Sequence, residues 1–274
     1  MKICVAQMNY NSEHIGMHVE KIKAIIRTYN EYDLIIFPEL ILHGHPSFEK
    51  PEGFLYRKMK IVYKSVSEDL YQFVRRIGAR VIIGELKRRG DKYYNSATYI
   101  DPETIQTYVK THVHWTENFA PGKDLKVFQT QQGNIGVNIC FDAAFSEVWR
   151  TLALRGAQII VNISAVPRTF PVEYMWRRMQ GAAIFNQVFV VYANRPAHYF
   201  SGHSAVFDPK GEPRVHAGSE EAIIEAEIDL AEVEQWREEE QIYPNRRPLL
   251  YRDIVKSHAV DARVCDVQAV RVQS

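Results

Sequence analysis

The chain has 274 residues, of which 46 % are hydrophobic and 24 % charged, and its 34 basic and 33 acidic side chains leave a formal net charge of +1. This composition is typical of a globular protein, and the length is enough for one large α/β domain with a sizeable core. The charge balance argues against a nucleic-acid partner, and no apolar run reaches the ~20 residues that are needed to span a membrane.

The cysteine content favours a reducing compartment. Cys4, Cys140 and Cys265 are odd in number and widely spaced, and they lack the CxxC spacing of a thiolate metal site. The first residues, "MKICVAQMNYNSEH", do not have the basic segment and long apolar run of a secretory signal. We therefore predict a cytoplasmic protein.

Strand and helix patterns alternate along the chain, without an internal repeat or a low-complexity linker. Several strands are apolar throughout, as strands covered on both faces are. In chain order, the patterns predict strands at 2–8, 33–40 and 80–86, helices at 18–29 and 59–78, a hairpin of 92–100 with 104–110, strands at 125–130, 134–140, 157–164, 188–194 and 222–230, helices at 146–156, 172–187 and 231–241, and a segment at 204–212 that ends in a turn. This alternation predicts an α/β layered fold with mixed sheets.

Three of the predicted strands end at a reactive or charged residue, namely Glu39, Lys110 and Cys140. Ligand sites of α/β sheets gather at the carboxyl ends of strands, so these side chains could share one pocket. There, Glu39 could take the proton of the Cys140 thiol, while Lys110 and the backbone N–H of Phe141 could stabilise an oxyanion.

Each of these residues also has a plain structural interpretation. Cysteine is among the most buried residue types, so packing is the favoured interpretation of Cys140 taken alone. Glu39 could simply flank a strand, and Lys110 could protect a sheet edge. Spacing in the sequence does not show that the three meet.

The chain resembles the carbon–nitrogen hydrolase, or nitrilase, superfamily over about residues 2–252. The resemblance lies in segments that occur in the family's order: "DLIIFPEL" with Glu39, "YVKTHV" with Lys110 and "GVNICFDAAFSEVWRTLALRGAQIIVNISA" with Cys140, together with "KICVAQMN", "YYNSATYI", "FAPGKDLKVF", "GHSAVFDPKGE" and "RRPLLY". It implies a four-layer α–β–β–α sandwich with two mixed β-sheets. Residues 1–252 would form one domain. The tail 253–274, in which valines recur without a clean period, could pack on a partner subunit or be a partly ordered terminus.

The resemblance also implies roles for these residues. Cys140 would attack an amide carbon and form a thioester, Glu39 would act as general base and acid, and Lys110 would stabilise the tetrahedral intermediates. Glu117 matches a second glutamate that orients the site in many members. The family works without a cofactor or metal, and its members commonly form homodimers or larger homo-oligomers.

Residues after the cysteine indicate the branch of the family. Phe141-Asp142 resembles the amidase and carbamoylase enzymes, whereas enzymes that act on nitriles usually have Trp-Glu there. Asp142 is predicted to be a helix-start carboxylate that accepts backbone N–H groups. Ala143-Ala144 replaces a segment that often contains arginine, which argues against a carboxylate clamp at this point.

The predicted substrate pocket is aromatic. Its candidate substrate-binding residues are Phe141, Trp115, Phe145, Arg168 and Tyr174, and His43, His45 and Phe170 are also predicted to line it. Arg168 could face an acidic substrate group. The histidine pairs His43/His45 and His112/His114 have i, i+2 spacing, but loop histidines near a cleft are commoner than zinc sites, and we predict no metal.

The sequence therefore predicts a thiol amidohydrolase that cleaves a small carboxamide or N-carbamoyl amine and releases ammonia or an amine. Acyl transfer or nitrile hydrolysis at the same Glu-Lys-Cys site remains open. A non-catalytic binding or assembly subunit is the alternative of a different class.

Overall fold

The computed structural model describes residues 1–11, 14–45, 54–196 and 199–256, and it gives residues 54–64 as helix backbone only. The chain divides into two compact units, Met1–Trp236 and a second that begins at Arg237. Most of the predicted tail, residues 257–274, lies outside the described residues, so its role stays a prediction. Within the described residues, no helix is both long and apolar enough to cross a membrane.

The described elements follow the predicted alternation. The strands are β1 (Lys2–Gln7), β2 (Leu34–Ile36), β3 (Val81–Arg89), β4 (Lys92–Ile100), β5 (Ile105–Val109), β6 (Lys126–Thr130), β7 (Gly133–Ile139), β8 (Ile159–Ser164), β9 (Phe189–Asn194), β10 (Ala205–Phe207), β11 (Pro213–His216) and β12 (Ala222–Glu227). The helices are α1 (Ile15–Thr28), α2 (Phe54–Ile77), α3 (Ser146–Leu154), α4 (Val172–Asn186) and α5 (Ala231–Glu239), with 3₁₀ segments at Cys140–Ala144 and Pro248–Val255.

The strands form two six-stranded mixed sheets. One has the order β12-β1-β2-β3-β4-β5, and the other has the order β11-β10-β9-β8-β7-β6. β1, β2 and β3 are parallel in the first sheet, as are β7, β8 and β9 in the second, and the outer pairs are antiparallel. The predicted two mixed β-sheets are confirmed.

Alternation along the strands separates two apolar layers. Ile3 and Val5 of β1 belong to a core that includes Val137 and Ile139 of the second sheet. The intervening residue, Cys4, belongs instead to a cluster with residues of α1 and α2. Successive side chains of a strand point to opposite faces, so both faces of the central strands are covered and their sequences are continuously apolar. With α3 and α4 against the second sheet, the layers are α–β–β–α.

The main departures from the predicted elements occur at element ends. The predicted strand 33–40 is shortened to Leu34–Ile36, because the chain enters a turn near Pro38 and Leu40 adopts a positive φ of 51°. A separate strand, β11, follows the turn that ends the predicted segment 204–212. A 3₁₀ turn precedes α3, so Cys140 is followed by a tight turn before the helix begins at Ser146.

Candidate active site

The three predicted strand-end residues lie at one end of the sandwich and come from both sheets. Glu39 follows β2 and Lys110 follows β5 in the first sheet, whereas Cys140 follows β7 in the second. The Lys110 Nζ lies 3.0 Å from Glu39 Oε1, and both side chains are fully buried. Both residues act electrostatically on Cys140. The fold thus brings a carboxylate, an ammonium and a thiol together.

The turn that carries Glu39 packs directly on β3. A Cβ at Gly84 would lie 2.7 Å from the Glu39 Cα and would also meet the backbone of Pro38 and Leu40. Real Cβ atoms do not approach so closely, and glycine is the residue that allows two backbones to meet in this way. Gly84 therefore allows the Glu39 turn to lie against the sheet.

Only one oxygen of the Glu39 carboxylate has hydrogen-bond partners among the described residues. Its Oε1 accepts hydrogen bonds from Asn95 Nδ2 at 2.6 Å and from Lys110 Nζ at 3.0 Å. Its Oε2 is buried without a hydrogen-bond partner among the described residues. A buried carboxylate oxygen in that state can accept a proton from a nearby group. Sequence reasoning did not identify Asn95, because its strand also contains Ser96 and Thr98 and a single polar residue there gives no distinctive signal.

Glu117 contacts the same ammonium through both oxygens, each 2.9 Å from Lys110 Nζ. Burial works against the charged carboxylate, but the contacts with His45 and Lys110 outweigh it and lower the pKa of Glu117 to about 2. Burial likewise opposes the charged ammonium, yet Glu39, Cys140 and Glu117 together raise the pKa of Lys110. The resting site therefore contains an ionised Glu117 and a protonated Lys110 at neutral pH.

Cys140 lies in a strained turn, and the pKa of its thiol is raised. Its φ is 46°, in the left-handed region that residues with a Cβ rarely adopt, and such strain is concentrated at functional sites. Burial and the charge of Glu39 raise the pKa of the thiol, although Lys110 and the backbone of Ala165 oppose the shift. The thiol is therefore protonated at neutral pH, and a reaction through its sulfur requires a base.

Asp142 joins the Cys140 turn to the segment after Lys110. Its Oδ2 accepts hydrogen bonds from Tyr108 Oη at 2.7 Å and from the Ile139 N–H at 3.0 Å. Its Oδ1 accepts from Thr111 Oγ1 at 3.0 Å and the His112 N–H at 2.7 Å. The prediction of a helix-start carboxylate is confirmed: Asp142 lies in the first turn of the 3₁₀ segment Cys140–Ala144 and accepts the N–H of Ile139, the residue before that segment.

Three of the predicted substrate-binding residues lie in one aromatic cluster. The Phe141 ring meets Phe145 edge to face at 5.4 Å and Trp115 at 5.7 Å, measured between centroids. His112 stacks on Phe145, and His114 stacks on Trp115. Trp115 is 79 % exposed, so one side of the cluster is open to solvent. An aromatic surface therefore begins at the residue next to Cys140.

The other two predicted substrate-binding residues lie on the exposed surface. The Tyr174 ring packs edge to face on Phe170, and its hydroxyl accepts a hydrogen bond from Arg178. Arg168 is exposed, and its backbone N–H donates to the carbonyl of Tyr199. The interactions described for Arg168 and Tyr174 are with these neighbours rather than with the buried acid–lysine group.

One group of described residues could hold a metal, and it belongs to this site. Ligand atoms of Glu39, His45 and Glu117 lie within 4.8 Å of one another. The Lys110 ammonium contacts both carboxylates, so it already supplies a cation at this place. The histidine pairs considered in the sequence have other partners: His43 accepts from the Leu86 N–H, and His112 contacts Asp142.

Comparison with known proteins places this architecture in the nitrilase superfamily. The profile of the carbon–nitrogen hydrolase family matches residues 2–238, and the chain belongs to that family. It is 31 % identical over 264 residues to a nitrilase of Pyrococcus abyssi, covering 92 % of this chain and 99 % of the relative. It is 27 % identical to an N-carbamoylputrescine amidase of Solanum tuberosum, covering 88 % and 90 %.

A solved structure supports the fold. A carbon–nitrogen hydrolase from Helicobacter pylori superposes with a TM-score of 0.82 at 23 % identity, covering 94 % of this chain and 98 % of that one. The chain is thus an enzyme that hydrolyses carbon–nitrogen bonds other than peptide bonds.

Proposed function

We propose that the protein is a thiol amidohydrolase that cleaves a small carboxamide or an N-carbamoyl amine. The observation that carries the proposal is the position of the Lys110 ammonium between Glu39 and Glu117. Glu39 Oε2 has no hydrogen-bond partner among the described residues, and Cys140 is under the electrostatic influence of Glu39 and Lys110. This arrangement supplies a base, an oxyanion partner and a nucleophile.

The first half-reaction forms a thioester. Cys140 Sγ attacks the carbonyl carbon while its proton passes to Glu39, because the raised pKa of the thiol leaves little thiolate to react. The carbonyl oxygen becomes an oxyanion beside the Lys110 ammonium and the Phe141 N–H. Glu39 then gives the proton to the nitrogen, the C–N bond breaks, and ammonia or an amine leaves.

The second half-reaction returns the free enzyme. A water molecule attacks the thioester carbon while Glu39 accepts one of its protons. The second tetrahedral intermediate collapses, the C–S bond breaks, and the sulfur regains a proton from Glu39. Glu117 makes no covalent bond in this sequence. It holds the ammonium in place through two contacts of 2.9 Å.

The substrate would lie against the aromatic cluster. Phe141, Phe145 and Trp115 form a surface that begins beside the nucleophile, which suits an apolar or flat substituent. Arg168 and Tyr174 would contact substrate only at the outer end, since both are exposed. Ala143 and Ala144 offer no charged group to a substrate carboxylate.

Two other reactions use the same site. An amine or hydroxylamine could intercept the thioester instead of water, which would be acyl transfer. A nitrile could also be attacked, and one relative is named a nitrilase. Phe141-Asp142 after the cysteine favours the amidase over this second alternative. A non-catalytic assembly role is disfavoured, since such a protein has no need of the complete Glu-Lys-Cys group.

The test is ammonia release from a panel of carboxamides, N-carbamoyl amines and nitriles, with intact-mass detection of an acyl adduct. We expect turnover of one amide or carbamoyl class, an adduct on Cys140, and a loss of at least ~10³-fold in Cys140→Ala. Cys4→Ala and Cys265→Ala are the matched controls and should keep activity. Undiminished activity in Cys140→Ala would overturn the proposal.

We further propose a cytoplasmic homodimer or larger homo-oligomer. A reduced Cys140 suits the reducing compartment that the cysteine content predicts. Light scattering coupled to gel filtration would give the subunit number, and a monomeric mass at micromolar concentration would contradict it.

A further inference from the structure

The proposed reaction needs Glu117 to stay against Lys110, and Glu117 lies in a segment without regular secondary structure. The segment between β5 and β6 supplies two backbone contacts: the Glu117 N–H donates to the His114 carbonyl at 2.9 Å, and the His114 N–H donates to Glu117 Oε2 at 3.3 Å. These contacts link neighbours within one loop. Further along the loop, the Ala120 N–H donates to the Tyr93 carbonyl of β4 at 2.8 Å and joins the end of the loop to the first sheet.

At Glu117 itself, His45 provides a contact from the turn that follows β2. Its Nε2 lies 3.5 Å from Glu117 Oε1, and both side chains are nearly inaccessible to solvent. This distance is long for a hydrogen bond, and polar contacts of this kind often shorten when substrate binds. The contact also contributes to the lowered pKa of Glu117. His45 thus acts on the carboxylate that holds the lysine.

The position of His45 is itself fixed by the turn that carries Glu39. Within this turn, the N–H groups of His43 and Gly44 donate to the Leu40 carbonyl, and the Leu42 N–H donates to the Gly84 carbonyl on β3. Gly44 has a φ of 80°, which suits glycine. The His45 ring is 2 % exposed and lies 6.3 Å from the ring of Phe200. A rigid turn therefore presents the imidazole to Glu117.

We propose that His45 is a positioning residue that holds the Glu117 carboxylate against the Lys110 ammonium. The inference rests on the proposed function, because it assigns His45 an effect on turnover through Glu117. The loop of Glu117 and the turn of Glu39 are then joined at two points, through Lys110 and through His45. Both carboxylates then keep their positions relative to Lys110 while negative charge develops on the substrate carbonyl oxygen.

Two substitutions separate the polar contact from packing. His45→Phe keeps a ring beside Phe200 but removes the nitrogen, whereas His45→Gln keeps an N–H donor at about the reach of Nε2. We expect His45→Phe to lower kcat by roughly 10- to 100-fold with KM within about threefold of wild type, as small misplacements of catalytic groups do. His45→Gln should recover kcat to within about threefold of wild type.

His18→Phe is the matched control, because it replaces a buried histidine of α1 whose Nε2 contacts the Ile41 carbonyl of the same turn at 2.7 Å. Its kcat should stay within about threefold of wild type. A fall equal to that of His45→Phe would assign the effect to the turn as a whole and overturn the proposal. Wild-type kcat in His45→Phe, or equal losses in His45→Phe and His45→Gln, would overturn it as well.

A double-mutant cycle tests the route through Glu117. If His45 acts through that carboxylate, His45→Phe should change the residual kcat of Glu117→Gln by less than about twofold, whereas independent effects would multiply. The activity of Cys140→Ala distinguishes a failure of the proposed function from a failure of the role proposed for His45. If Cys140→Ala retains activity, the proposed function fails. If Cys140→Ala is inactive and His45→Phe is not impaired, only the role of His45 fails.

Discussion

At the scale of single residues, the proposed chemistry depends on a thiol that is a poor nucleophile at rest. Burial and Glu39 raise the pKa of Cys140 even though Lys110 lies nearby. A protonated thiol is protected from adventitious oxidation and alkylation, since the thiolate is the reactive form. Removal of the proton must then accompany attack on the substrate. The Glu39 oxygen that has no hydrogen-bond partner among the described residues can accept that proton.

Glu39→Gln should therefore lower kcat by roughly 10²- to 10⁴-fold, the usual contribution of general acid–base catalysis. Its residual turnover should rise with pH between 6 and 9, by up to about tenfold per unit, because the thiolate fraction grows as the pH approaches a raised pKa. The measurement is the pH profile of ammonia release. A far-UV circular dichroism spectrum and an unfolding midpoint like those of wild type serve as the control for an intact fold. If turnover by Glu39→Gln were within about threefold of wild type, Glu39 would not be the general base.

Parts of this site could be predicted from sequence, and the limit has a physical cause. Glu39, Lys110 and Cys140 end apolar strands, which is a local pattern. Their proximity depends on two sheets packing face to face, and only the family resemblance suggested it. The role of His45 depends on a tight turn with two positive φ angles, which hydrophobic periodicity does not reveal.

At the scale of elements, Asp142 connects the 3₁₀ turn of Cys140 to the end of β5. It does so through four hydrogen bonds from Tyr108, Ile139, Thr111 and His112, which belong to both sheets or to the segments at their ends. A buried carboxylate that accepts several bonds is satisfied and holds its donors in a fixed arrangement. The Cys140 turn and the segment after Lys110 are thus tied together by a residue to which the proposed mechanism assigns no bond making.

Asp142→Asn should weaken this connection, because an NH₂ group replaces one acceptor and then faces donors. We expect a loss of about 1.5–3 kcal/mol in the free energy of unfolding and a fall of about tenfold in kcat. Urea unfolding and steady-state kinetics measure the two effects.

Asp101→Asn is the matched control for Asp142→Asn. Asp101 Oδ1 accepts the Glu103 and Thr104 N–H groups at the opposite end of β5 from Lys110. An asparagine carbonyl oxygen can still accept both N–H groups, so this variant should keep its kcat and most of its stability. An unchanged kcat in Asp142→Asn, or an equal fall in both variants, would contradict the role given to Asp142.

At the scale of the whole molecule, the geometry of the site depends on how the two sheets are positioned against each other. Glu39 and Lys110 come from the first sheet and Cys140 from the second, and between the sheets lies a core that includes Tyr99 and Phe128, whose rings lie 6.0 Å apart. Interiors are close-packed, so a cavity in this layer strains or shifts its surroundings. The fold class was predictable because strand and helix periodicities are strong, whereas the sheet-to-sheet register arises from side-chain packing.

Phe128→Ala should therefore affect catalysis as well as stability, although Phe128 is not described in contact with the acid–lysine group. We expect a loss of about 3–5 kcal/mol in the free energy of unfolding. The kcat, measured well below the unfolding transition, should fall about tenfold because Cys140 moves relative to Glu39 and Lys110.

Ile26→Ala is the control, because Ile26 lies in the cluster between α1, α2 and the first sheet. Its free energy of unfolding should fall by about 2–5 kcal/mol, and its kcat should stay within about twofold of wild type. Equal kcat in the two variants would show that the sheet-to-sheet core does not set the geometry of the site.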